Sequence, residues 1–101
     1  MAIGGTGAIE HYNQGNAYLQ QQRFAEAIRE YEAALQIKPD FVEARDNMAV
    51  AHANQGVLCR QQGQLDEAVR EAKLAIQLGF EPAHQLLAEL ESSRHSSSAK
   101  K

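Results

Sequence analysis

Tryptophan is absent from this 101-residue chain, cysteine occurs once, proline twice, and the aromatic set is three tyrosines and three phenylalanines. Each scarcity closes off a class of function. The lone Cys59 forms neither a disulfide within the chain nor a zinc knuckle. It is compatible with a reducing compartment, and a cytoplasmic setting is expected. With so few aromatics, a base-stacking platform has no material. Formal net charge is −3 with acids and bases interspersed, so the basic stripe that grips nucleic acid is missing. No apolar run approaches the roughly 20 residues of a membrane span. The segment Met1–Gly7 is small and glycine-rich, without the basic and apolar regions of a signal peptide. Neither nucleic acid nor membrane is therefore an expected partner. A single domain of this size buries only about 60–65% of its unfolded surface.

What the chain does have is repetition. His11-Tyr12-Asn13-Gln14-Gly15 returns as His52-Ala53-Asn54-Gln55-Gly56, a constant offset of 41 residues. In the same register Glu26-Ala27-Ile28-Arg29-Glu30 returns as Glu67-Ala68-Val69-Arg70-Glu71, and Ala34-Leu35-Gln36-Ile37 as Ala75-Ile76-Gln77-Leu78. A fixed period of this order marks a solenoid of stacked units. Such folds present extended surfaces to other chains.

Periodicity and turn signals divide the chain into five helices. Met1–Gly7 reads as a flexible lead, with Thr6 placed to cap a helix from Ala8 to about Gln22. A second helix runs from Phe24 to Ile37 and stops at Pro39. Asp40 and Glu43 form the Asp-x-x-Glu pattern of a capping box ahead of a third helix. A fourth spans about Leu65–Leu78, with Asp66 and Glu67 in the first turn, where the helix dipole favours acids. Gly79 suits the C′ position that follows. Pro82 opens a last helix to about Ser92, and the serine-rich segment 93–101 reads as a disordered tail.

Paired helices with small residues at their crossings resemble the tetratricopeptide repeat family, whose usual unit is about 34 residues. In the first unit, 8–41, Gly15, Tyr18, Ala27, Tyr31, Ala34 and Pro39 fall at the family's spacing, with His11 in place of its tryptophan and Gln14 in place of its leucine. The second unit, 42–81, matches through Ala68, Ala72, Ala75 and Pro82, and 82–92 resembles the family's capping helix. The first helix of this second unit takes two registers, one placing Met48-Ala49 and the other Gln55-Gly56 at the family's Leu-Gly position. They differ by seven residues, and Val57–Gly63 reads as an insertion. Seven residues fall only about 20° short of two full turns and lengthen a helix by roughly 10 Å. One long helix from about Asp40 to Gln62 is expected, with Gly56 inside it at about 1 kcal/mol relative to alanine. The rival is a break at Gly56. The fold class is then all-α: a solenoid of about five antiparallel helices, the third unusually long.

The resemblance implies a non-catalytic module that binds a peptide or partner protein in a concave groove lined by first helices. The residues it places there are Tyr12, Asn16, Leu19, Gln20, Asp46, Asn47, Val50 and Asn54, with Ile9, Glu43, Ala53 and Val57 beside them. One branch of the family clamps a C-terminal carboxylate with lysines, asparagines and a further basic pair. Here Asn16 and Asn47 stand at the asparagine positions, Tyr12 replaces the lysine, and His84 and Ala88 replace the basic pair. Without those cations a carboxylate loses its charge-assisted bonds. Glu43 and Asp46 favour a neutral or basic ligand instead. The alternative function is self-association. A lengthened third helix would leave Val42, Arg45, Met48 and Ala49 under-covered, a strip suited to a homodimer.

Other chemistry finds no support. Among the four histidines, none stands three or four residues from another with a third ligand near, so no metal is expected. His11 and His52 read as packing at the helix crossing. Gly4-Gly5-Thr6-Gly7 lacks the spacing of a phosphate loop. Cys59 lies on an apolar helix face without a base. No cofactor and no catalytic residue is expected.

Overall fold

The computed structural model describes the backbone of residues 4–99 and the side-chain surroundings of residues 7–94. Five helices follow in order: α1 (Gly4–Gln20), α2 (Phe24–Ile37), α3 (Val42–Gln61), α4 (Leu65–Gln77) and α5 (Ala83–Ala99). Consecutive helices pack on one another, and α1 and α5 each also touch α3. The result is elongated, 63 × 23 × 16 Å, with a radius of gyration of 15.4 Å against about 13 Å for a compact chain of this length.

Several boundaries differ from the sequence expectation. Helix α1 begins at Gly4, so Thr6 lies inside it rather than at its cap, and α5 continues past Ser92. Residues 1–3 of the expected lead and 100–101 of the expected tail lie outside the described residues. The Asp40–Glu43 capping box does not form: Phe41 is the N-cap of α3, with no side-chain cap bond. Its N–H donates to the Lys38 carbonyl at 3.0 Å, and its ring is buried in the core. Burying that ring moves the helix start past Asp40, whose carboxylate meets Lys38 Nζ at 3.3 Å instead.

Helix α3 is continuous through Gly56. The glycine is there because α4 comes close: a Cβ at Gly56 would stand 3.2 Å from the Ala68 carbonyl oxygen. Its repeat equivalent Gly15 is tighter still, with the Tyr31 ring 2.5 Å from where a Cβ would sit. Small residues at crossings let helix axes approach toward the short end of the usual 8–10 Å range.

The two hairpins, α1–α2 and α3–α4, match at the 41-residue offset in detail. Both first helices end in the same cap. Arg23 N–H donates to Tyr18 O at 2.9 Å and Gln22 N–H to Leu19 O at 3.0 Å; Gln64 N–H donates to Cys59 O at 2.9 Å and Gly63 N–H to Arg60 O at 3.0 Å. Each is a Schellman motif with its C′ residue left-handed, Gln22 at φ 62° and Gly63 at φ 78°. Gly79, at φ 94°, closes α4 in the same way. Segment 57–63 is thus the counterpart of 16–22 and not an insertion. The added length of α3 stands ahead of His52, where the helix packs on the first hairpin. Its N-terminal half follows one register and its C-terminal half the other.

That offset divides the core. Tyr31, Phe41, Ala44, Met48 and Ala51 belong to a first cluster with Ala8, Ala27 and Ala34, on which Leu78 also packs. A second cluster joins Cys59, Ala68, Val69, Ala72 and Leu90, and a third joins Ala53, Ala75 and Ala83. Ion pairs from Arg60 to Glu89 at 3.1 Å and from Arg94 to Asp66 at 2.9 Å fasten α5 to the second hairpin.

Candidate partner-binding face

A polar network fixes α1, α2 and α3 together. The Tyr31 hydroxyl donates to Asn16 Oδ1 at 2.6 Å, and Asn47 Nδ2 donates to the same oxygen at 2.9 Å. Asn47 Nδ2 also lies 3.4 Å from the Tyr12 hydroxyl oxygen, whose ring centroid is 4.9 Å from that of Phe41. Tyr31 is wholly buried, and burial pushes its phenol up to about 12. Burial likewise raises the Cys59 thiol, with Glu71 and Glu67 adding to the effect.

A second pairing repeats in each hairpin. His11 Nδ1 is 2.8 Å from Glu30 Oε1, and His52 Nδ1 is 2.6 Å from Glu71 Oε1. The histidines were expected to pack at the helix crossing; they also tie the first helix of each hairpin to its second through a carboxylate. Among the described residues no group of three His, Cys, Asp or Glu side chains is placed to hold a metal.

Two clefts of about 380 Å³ open on α3. One lies where α3 overhangs the α1–α2 turn. Leu19, Phe24, Val57 and Leu58 give it apolar walls, and Gln20, Gln22, Asn54 and Gln61 give it amides, with no charged side chain. The other lies between α3 and the α4–α5 turn, with Asp46, Asn47, Ala49 and Val50 on one side and Leu78 to Pro82 on the other.

Residues 15–56, which span the α1–α2 turn, α2 and most of α3, match the family model of the TPR repeat. The five-helix fold is an all-α solenoid of TPR-type helical hairpins. No curated protein matches it. TPR repeats generally mediate protein–protein interactions and are typically non-catalytic. No helix among the described residues is long and apolar enough to cross a membrane.

The TPR-derived groove residues divide by role. Tyr12, Asn16 and Asn47 are half-buried and occupied with one another. Leu19, Gln20 and Asn54 line the overhang cleft, whereas Asp46 and Val50 line the other with Asn47. Val57 joins the overhang cleft; Ile9 and Glu43 are exposed without lining either. Ala53 is buried against α4 and α5 residues instead of facing the groove. The strip expected to drive dimerisation is also different: Met48 is 8% and Ala49 1% exposed. Leu78 packs on the cluster that holds Met48, leaving only Val42 and Arg45 open. The sequence reading missed Gln22, Phe24, Leu58 and Gln61, and the whole contribution of the α4–α5 turn. Gln22 and Gln61 stand in the polar turn segments Gln21-Gln22-Arg23 and Gln61-Gln62-Gly63-Gln64, but their convergence required the overhang.

Proposed function

We propose that the face shared by α1 and α3 holds a segment of a partner protein. The observation that carries this reading is the placement of both clefts along one side of α3. Asp46, Val50, Asn54, Val57 and Gln61 follow one another at intervals of three or four residues, the spacing of a single helix face. From Asp46 to Gln61 that track is about 22 Å long, enough for roughly seven residues of extended chain. The Tyr31–Asn16–Asn47 bonds between its two walls hold them in place before binding, which lowers the ordering cost of association.

The test uses the chain as bait, identifies bound proteins, and repeats each binding measurement with Val50→Arg and Asn54→Arg. Loss of about tenfold or more in affinity with both variants, at unchanged helical content, supports the reading. If every captured protein binds both variants as tightly as the native chain, the interface lies elsewhere and the reading is wrong.

A further inference from the structure

We infer that the cleft between α3 and the α4–α5 turn is a subsite for an arginine side chain of the bound segment. This rests on the α1–α3 face being the partner surface. Four independent features of the cleft converge on a cationic donor. Its ionisable lining, Asp46 and Glu81, is entirely acidic. Among the described residues Asp46 has no ion-pair partner, and Glu81 has only the His84 ring at 4.0 Å. Most other ion pairs of the chain are far closer, such as Glu67 with Arg70 at 2.7 Å and Glu26 with Arg23 at 2.9 Å. Asn47 contributes a third acceptor: its Nδ2 is spent on Asn16 and Tyr12, which leaves Oδ1 for a ligand. Finally, α4 ends at this cleft without a basic residue in its last turn, so the negative end of its dipole is uncompensated there.

The floor selects arginine. Val50, Phe80 and Pro82 offer an apolar bed for an alkyl stem, on which a long cationic side chain lies while its head stays at the polar rim. A guanidinium is planar and weakly hydrated, stacks on an aromatic face and bridges two carboxylates, none of which an ammonium does as well. An acidic or phosphorylated segment would meet only acceptors here.

The probe is a blocked pentapeptide, acetyl-Ala-Ala-Arg-Ala-Ala-amide, titrated into the ¹⁵N-labelled full chain, with citrulline replacing arginine as the uncharged isostere. Saturable shifts should concentrate at Asp46 to Val50 and Leu78 to Pro82. The citrulline peptide should bind about tenfold more weakly, and so should the arginine peptide to the Asp46→Asn, Glu81→Gln double variant. Both positions are exposed, so the variant should keep its helical spectrum. Added salt should weaken the native interaction. Equal binding of the citrulline peptide, shifts that survive the double variant, or no saturable shift at millimolar peptide would each overturn the proposal. Shifts at these positions produced by raising protein concentration alone would make the occupant a second copy, and would overturn it too. A captured partner that depends on Val50 and Asn54 but ignores Asp46 and Glu81 would remove the arginine subsite while leaving the partner face standing.

Discussion

His52 Nδ1 stands 2.6 Å from Glu71 Oε1, bridging α3 to α4 as His11 bridges α1 to α2. The two pairs share chemistry and differ in exposure: the His52 side chain is 12% exposed and that of His11 42%. Removing one partner of a half-buried pair strands the other, at about 1–3 kcal/mol, whereas an exposed pair contributes about 0–1 kcal/mol. His52→Ala should therefore lower the urea midpoint clearly more than His11→Ala. Equal losses would contradict this account.

The two equivalent glycines should respond unequally to alanine. At Gly15 a Cβ would fall 2.5 Å from the buried Tyr31 ring, an overpacking that costs about 1–3 kcal/mol. At Gly56 the nearest atom is 3.2 Å away, and the gain in helix propensity of about 1 kcal/mol works against a smaller clash. Thermal unfolding of both variants should show Gly15→Ala as the more damaging. The reverse order would mean that Tyr31 moves aside easily.

Gln22 adopts the left-handed backbone that its counterpart Gly63 supplies without strain. A side chain there costs about 1 kcal/mol or more. Gln22→Gly should raise stability by about 1 kcal/mol and Gly63→Gln should lower it, each read by denaturant unfolding. No gain from the first would show the turn to be unstrained.

Alkaline pH isolates Tyr31. Burial lifts its folded pKa to about 12, against 10.0 for an ordinary phenol. Below pH 10 both states keep the proton and the stabilisation is complete. Between 10 and 12 the unfolded chain ionises first, binds fewer protons than the folded one, and stability falls as pH rises. The loss amounts to about 2–3 kcal/mol at pH 12. Tyr31→Phe, which gives up the bond to Asn16, should be less stable than the native chain at neutral pH and should lose less across that alkaline window. Parallel stability–pH curves for the two proteins would refute the assignment.

Much of this was legible in the residues. Helices α2 and α4, the turn at Gln61–Gln64 and the C′ role of Gly79 follow from periodicity and local capping chemistry, which act over a few neighbouring residues. The two registers on one helix favour continuity through Gly56 over a break there, and α3 is continuous. Less legible was the start of α3, because the Asp40 pattern satisfied a local rule that the burial of Phe41 outweighs. A unit of about 34 residues puts the extra length after Gly56. The chain's own repeat, seen in the paired caps at Gln22 and Gly63, puts it before His52. The bare strip at Met48 and Ala49 failed because Leu78, thirty residues on, packs on that cluster.

By itself the sequence determined two like hairpins and their small crossing residues, because a 41-residue repeat writes the same local structure twice. The tertiary structure alone decided how far apart along α3 the first hairpin and α4 are seated. Helical periodicity is blind to that sliding, since a shift of seven residues leaves nearly the same face inward. On it depend the meeting of Asn16 with Asn47, the overhang beside Gln20, and the cleft that brings Asp46 opposite Phe80 and Glu81.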